Sequence, residues 1–157
     1  MKRYMLDTHT VSHLLRKYPA VAEHIVAVPM ASLCISAITA GELLFGLAKH
    51  PDAKQLHLAV REFLRRIDVL PWESTTAECY GIVRAEMARH GKVLAPLDML
   101  IAAHALSVSA VLVTNDRDGP SACRRLDGIT RKSALAGRHP VPVRASSAAS
   151  ARKPRLP

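Results

Sequence analysis

The stretch Leu33-Cys34-Ile35-Ser36-Ala37-Ile38-Thr39-Ala40-Gly41-Glu42-Leu43-Leu44-Phe45-Gly46-Leu47 decides the fold. Its first four residues are an apolar run of strand length, closed by a serine. From Ala37 the spacing changes. Ile38, Leu43, Leu44 and Leu47 fall mostly three and four positions apart, the period of one helix face. A short strand that is apolar at consecutive positions is buried on both sides, as in a parallel sheet. Parallel strands need a helical crossover between them, and one follows here directly.

The same pattern extends outward in both directions. Upstream, Arg3–Leu6 reads as a short buried strand ending at Asp7. Thr8 and Thr10 are candidate N-caps for a helix over Val11–Lys17. Pro19 can open a second helix reaching about Val28. Downstream, Pro51 closes the helix begun at Ala37, and Asp52 is placed to cap another. That helix aligns Leu56, Val60, Phe63, Leu64 and Ile67 on one face. Asp68–Leu70 is a strand closed by Pro71. Ser74–His90 reads as a long helix with Ser74 as its cap and Gly91 as its stop. Asp98 heads a helix running to about Ser107, and Ala110–Thr114 is a buried strand. Strands alternate with helices and there is no internal repeat, so an α/β domain with a parallel sheet is expected.

Composition bounds what such a domain can be. The chain has 157 residues, 49% hydrophobic and only 4% aromatic, so its core must be built from Leu, Val, Ile and Ala. No apolar run approaches the roughly 18 residues of a membrane span. Met1–Leu6 lacks the features of a signal peptide, and the expected compartment is cytoplasmic, with no membrane partner. Cys34, Cys79 and Cys123 are widely spaced and make neither a CxxC pair nor a zinc pattern. The eight histidines include no HExxH, and no phosphate-cradling glycine motif occurs.

The formal charge of +9 suggests nucleic acid until its distribution is read. Residues 1–116 hold 12 Lys+Arg and 11 Asp+Glu, a net of +1, whereas residues 117–157 hold 10 and 2, a net of +8. The boundary at Asp116 is also compositional. Beyond it come Gly119-Pro120, further prolines and an Ala/Ser run, without apolar period. Residues 1–116 are therefore expected to form the domain and 117–157 a basic, disordered Pro/Ala/Ser/Arg-rich tail.

Four acidic residues carry the chemistry. Asp7 and Asp116 each follow a strand, and in a parallel sheet the carboxyl ends of all strands share one rim, where ligands bind. Glu42 lies on the early turns of the helix after the second strand. Asp98 lies at a helix start, where the dipole favours a carboxylate. Taken singly, each has a plainer reading: Asp7 or Asp98 as a helix cap, Asp116 as a turn residue, Glu42 as a solvated side chain. Together they would repel one another in a cleft, and a hard divalent cation such as Mg²⁺ or Mn²⁺ would relieve that repulsion. Water activated by such an ion can attack a phosphodiester. Arg61, Arg65 and Arg66 lie on one helix and could touch phosphates, but they read equally as a solvated face.

Four segments carry a resemblance: Met5-Leu6-Asp7-Thr8, Ile38-Thr39-Ala40-Gly41-Glu42-Leu43-Leu44-Phe45-Gly46, Pro96-Leu97-Asp98-Met99-Leu100-Ile101-Ala102-Ala103-His104-Ala105 and Leu112-Val113-Thr114-Asn115-Asp116. In order and spacing they resemble the PIN-domain family, in particular its VapC-type toxins of toxin–antitoxin pairs. The resemblance implies a Rossmann-like, three-layer domain with a short central parallel sheet and flanking helices. It also implies an Mg²⁺-dependent endoribonuclease (Mn²⁺ as substitute), a cognate antitoxin that covers the site, and a homodimer. Asp7, Glu42, Asp98 and Asp116 match the family's acidic set, with Asp7 and Asp98 at the positions tied to the metal. Thr8 and Thr114 match hydroxyl positions beside it. Two features depart from the pattern. His9 stands where the family usually has Asn, which implies weaker or more pH-sensitive metal binding. The segment after Asp116 lacks the expected helix and aromatic edge strand, so the C-terminal edge element is altered.

Two other classes compete. One is a catalytically weakened PIN-like domain that serves as a protein-binding module. The other is an aspartate-dependent phosphohydrolase, whose pattern needs a second Asp two positions after the first, where His9 stands.

Overall fold

A computed structural model of the chain describes residues 2–16 and 28–114. The helix expected from Pro19, the segment containing Asn115 and Asp116, and the tail 117–157 lie outside the described residues. The chain enters as β1 (Tyr4–Leu6), turns into α1 (Thr8–Leu15), and resumes with a single 3₁₀ turn, Met30–Ser32. There follow β2 (Leu33–Ser36), α2 (Ala37–Lys49), α3 (Lys54–Arg66), β3 (Asp68–Leu70), α4 (Ser74–Arg89), α5 (Pro96–Ser107) and β4 (Val111–Val113). The strands form one parallel sheet in the order β3-β2-β1-β4.

Two-residue alternation along the strands divides the core into two layers. Leu6, Leu33 and Ile35 face one side, where they pack with Val11, Leu43, Leu47, Val60 and Ile67 from α1 to the end of α3. Met5 and Cys34 face the other, against Ile101 and Ala105 of α5. Val83 and Met87 of α4 close that layer on Met99 and Ala102. The result is the three-layer α/β arrangement expected from the sequence. In α5 the run Ile101–Ala105 is buried at every position, because the helix is sandwiched between the sheet and α4. A helix apolar on all sides is an interior helix.

Helix starts are where sequence reading went astray. Asp7, rather than Thr8 or Thr10, is the N-cap of α1, and its carboxylate accepts from the Thr10 backbone N–H. Asp52 does not cap α3. Its carbonyl accepts from Lys54 N–H within a turn, and the cap position falls to Ala53 without a side-chain bond. Glu73, not Ser74, precedes α4. The stop of α4 is as expected. Gly91 has φ +64°, its N–H bonds to Ala88 O at 3.0 Å, and Lys92 N–H bonds to Met87 O at 3.0 Å, the paired bonds of a Schellman turn. Ser109 repeats that turn after α5 with a side chain in the left-handed region, φ 54°. Its N–H reaches Leu106 O at 3.1 Å, and Ala110 N–H reaches Ala105 O at 2.8 Å. This turn delivers β4 to the sheet.

The core assignment sets a first test. Ile35 is fully buried between β1 and β3, so Ile35→Ala is expected to lower stability by about 2–5 kcal/mol. Val93 is 92% exposed, and Val93→Ala should stay within about 0.5 kcal/mol. Urea unfolding midpoints at constant slope measure both.

Candidate active site at the carboxyl rim

The strand order fixes where a ligand would sit. From β1 the chain moves to β2 and on to β3, then returns across the sheet to place β4 on the far side of β1. The reversal lies between β1 and β4, and open α/β sheets bind ligands at the carboxyl ends of strands beside such a point. The residues leaving those two strands are Asp7 and Thr114.

Asp7 is held there from several directions. Its backbone N–H donates to Val113 O at 3.1 Å, extending the β1–β4 pairing by one residue. Its Oδ1 accepts from Thr10 N–H at 2.7 Å, and Thr10 Oγ1 donates to Val113 O at 3.2 Å. The side chain is only 7% exposed. The cap reading of Asp7 is therefore correct, and it does not compete with a role in the site, since the cap bond involves one carboxylate oxygen.

Glu42 comes to the same corner from α2. It is half-buried, and its Oε2 accepts a hydrogen bond from Thr8 Oγ1. Thr8, next to Asp7 in the chain, thus ties the second carboxylate to the first turn of α1. Asp98 is the third residue of α5, behind Ala95 at the cap position and Pro96 at the first. It is half-buried in the helix's positive end, and it is not the cap. Thr114 is half-buried just past β4, whereas His9 is exposed on α1. Asp116 lies outside the described residues. Among the described residues, no three His, Cys, Asp or Glu side chains are gathered to hold a metal ion. The donor set expected from the sequence is all carboxylate oxygen, with neither thiolate nor imidazole, which is the chemistry suited to Mg²⁺ or Mn²⁺.

Two residues beneath the rim were not singled out by the sequence. His104 is fully buried in the middle of α5, with Nδ1 2.8 Å from Ser36 Oγ. Ser36 is the N-cap of α2, and its Oγ also accepts from Ile38 N–H at 3.1 Å. Trp72 lies edge-on to the imidazole, with ring centres 5.6 Å apart. Burial pushes the imidazole below its ordinary pKa, and Glu73 opposes this in part. The signal that could have found His104 is its position as the one polar side chain in the apolar run Met99–Leu106.

Comparison with known proteins decides the family. The PIN domain model matches residues 4–125, most of the chain and past Asp116. The chain belongs to the PIN-domain family. Among its relatives, the tRNA(fMet)-specific endonuclease VapC of Salmonella typhimurium is 38% identical over 117 residues, 74% of this chain and 88% of the relative. That of Shigella flexneri is 34% identical over 116 residues, with the same coverage. Among solved structures, the DNA-bound VapBC of Salmonella typhimurium superposes with a TM-score of 0.68 at 35% identity, covering 73% of this chain and 87% of that one. FitAcB from Neisseria gonorrhoeae gives 0.68 at 28% identity, covering 77% and 93%. This PIN domain therefore shares its fold with the matched VapBC and FitAcB chains along most of their length.

Two measurements follow from this geometry. Asp7→Asn keeps an acceptor for the Thr10 N–H, whereas Asp7→Ala removes it. The alanine variant should lose about 1 kcal/mol more in urea unfolding than the asparagine variant. The second concerns His104. Its pKa in the folded chain is lowered, so below about pH 6.5 the unfolded chain takes up a proton that the folded one resists. Stability present above that pH is lost as pH falls, by up to about 1.4 kcal/mol per unit. His104→Leu should flatten this part of the stability profile between pH 7 and 5, measured by unfolding at each pH against the parent.

Proposed function

We propose that this PIN domain is a divalent-metal-dependent endoribonuclease, the toxin half of a toxin–antitoxin pair. The observation that carries the reading is the corner at the switch point, where Asp7 ends β1 and Thr8 holds Glu42 beside it. Kinship with VapC ribonucleases supports the reaction class, and the VapBC complexes among the structural relatives support an antitoxin partner. Asp7 and Asp98 would hold the cation, with Glu42 and Asp116 completing the acidic set. When bound, Mg²⁺ or Mn²⁺ would supply charge neutralisation at the scissile phosphate and a water acidified enough to attack it. The chain's own part is positional. The bond from Thr10 N–H to Oδ1 leaves Asp7's other oxygen for a ligand. Thr8 fixes the Glu42 carboxylate instead of leaving it to solvent. The head of α5 carries Asp98 in a positive helix end, which would offset part of the repulsion among gathered carboxylates. Thr114, which follows β4 as Asp7 follows β1, would offer a hydroxyl able to orient water or a carboxylate. Two copies of the chain would form the working assembly.

A PIN domain that binds its partner without cutting RNA is the second reading. It draws on the departure from the family pattern after Asp116. A cleavage assay on RNA with Mg²⁺ or Mn²⁺ separates the two. The expected result is cleavage that chelation stops and that Asp98→Asn lowers by roughly 10²-fold or more. Cleavage that survives Asp98→Asn would sink the site assignment. Purified chain that binds its antitoxin but never cuts would favour the binding module.

A further inference from the structure

The layer around α5 contains a polar pair, His104 and Ser36, both fully buried. Hydrogen-bond accounting defines their chemistry. Ser36 Oγ already accepts from Ile38 N–H, so its own proton is available to Nδ1 of His104, 2.8 Å away. A serine that donates leaves a single group unmet, the Nε2 position of the ring, which has no hydrogen-bond partner among the described residues. The reverse arrangement, with Nδ1–H donating, would also strand the serine proton. Burial keeps the ring neutral, which suits a ring nitrogen that accepts.

Such a pair is costly where a leucine would pack. An unmet buried polar group costs on the order of 1–3 kcal/mol. What the pair adds is a directional bond between two particular helices. Ser36 sits at the first residue before α2, the helix that carries Glu42, and His104 sits on α5, the helix that carries Asp98. Apolar contacts between α5 and the sheet, chiefly Ile101 and Ala105 against Met5 and Cys34, are non-directional. A hydrogen bond from a cap residue to a ring nitrogen is directional and sets a register along the axis.

We propose that the Ser36–His104 bond is a register clasp, with His104 a positioning residue that holds the head of α5, and so Asp98, at a fixed height against the start of α2 and Glu42. This deepens the ribonuclease reading and rests on it for its catalytic consequence. The clasp acts through helix placement, so it should affect metal affinity and kcat and leave KM for RNA unchanged.

The test uses Ser36→Ala, His104→Leu, His104→Asn and the Ser36→Ala/His104→Leu double variant of the full chain. Asparagine carries a δ-atom bonded to Cγ, as Nδ1 is, and can restore the bond to Ser36. Amide hydrogen exchange in the first turns of α2 and α5 is the readout that needs neither metal nor RNA. Exchange there should rise about tenfold in Ser36→Ala and His104→Leu and return toward the parent in His104→Asn. Mn²⁺ affinity by calorimetry should fall about tenfold in the same two variants, within the 10–100-fold range of residues that support metal ligands. Ser36→Ala also removes the cap bond from Ile38 N–H, so the clasp is read at the head of α5, where the double variant should be no worse than the poorer single one because both singles break the same Ser36–His104 bond. Unchanged exchange at the head of α5 in both singles overturns the clasp. Altered exchange with unchanged Mn²⁺ affinity and kcat overturns its role in positioning. A parent chain that neither binds Mn²⁺ nor cuts RNA overturns the ribonuclease reading and the catalytic consequence together, while the exchange result still decides whether the clasp exists.

Discussion

Because β1 is hydrogen-bonded along both edges, to Leu33–Ile35 on one side and Val111–Val113 on the other, its three residues hold the whole sheet in register. A one-residue slip would turn Leu6 out of one layer and Met5 out of the other, exchanging the two core faces at once. Both residues are fully buried, and burying each contributes roughly 1.5–3 kcal/mol. That penalty is what makes so short a strand sufficient. It also fixes everything downstream, since the position of Asp7 is set by the pairing of Leu6 with Val113 and not by any property of its own side chain.

The site inherits its geometry from this pairing. Asp7 is at once the last residue of the β1–β4 ladder and the N-cap of α1, so one residue ends a strand, starts a helix and leaves a carboxylate oxygen at the rim. Thr10 reinforces the junction by bonding to Asp7 through its amide and to Val113 through its hydroxyl. These bonds are local and depend on the backbone. A carboxylate held by the backbone retains its place as charges nearby change, whereas one on a long side chain needs a partner. Glu42 is the long one here, and Thr8 is its partner.

Much of this was legible in the sequence because strands and helices of this fold differ in period. Leu33–Ser36 and Asp68–Leu70 were found at their true limits, and Asp7, Glu42 and Asp98 at the strand and helix ends where they lie. Caps were harder. Thr8, Asp52 and Ser74 are all good capping types, and none of them caps, because the choice depends on how each strand or turn hands over to the helix and not on the residue's preference. The end of α5 at Ser107 was legible, but the type of its turn was not, because Ser109 occupies a left-handed position normally announced by glycine. Ser36 and His104 were invisible as a pair. Sixty-eight positions separate them, and only the stacking of α5 over the end of β2 brings them together.

The helix α5 poses the sharpest physical contrast in the domain. Its body is almost entirely apolar, and its packing through Ile101 and Ala105 on the sheet and Met99 and Ala102 on α4 is non-directional. Its head carries Asp98, whose proposed part in the site depends on its height along the helix. Pro96 fixes the direction of the first turn, and the turn at Ser109 fixes the last, but both act at the ends, and neither bonds to the helix that carries Glu42. The buried bond from Ser36 to His104 ties the middle of α5 to the cap residue of the helix that carries Glu42. The apolar core supplies the stability that tolerates the unmet ring nitrogen, and the polar pair supplies the specificity that an all-leucine interface lacks. The polar residue buried most deeply in α5 is thus explained by the acidic residue at its tip.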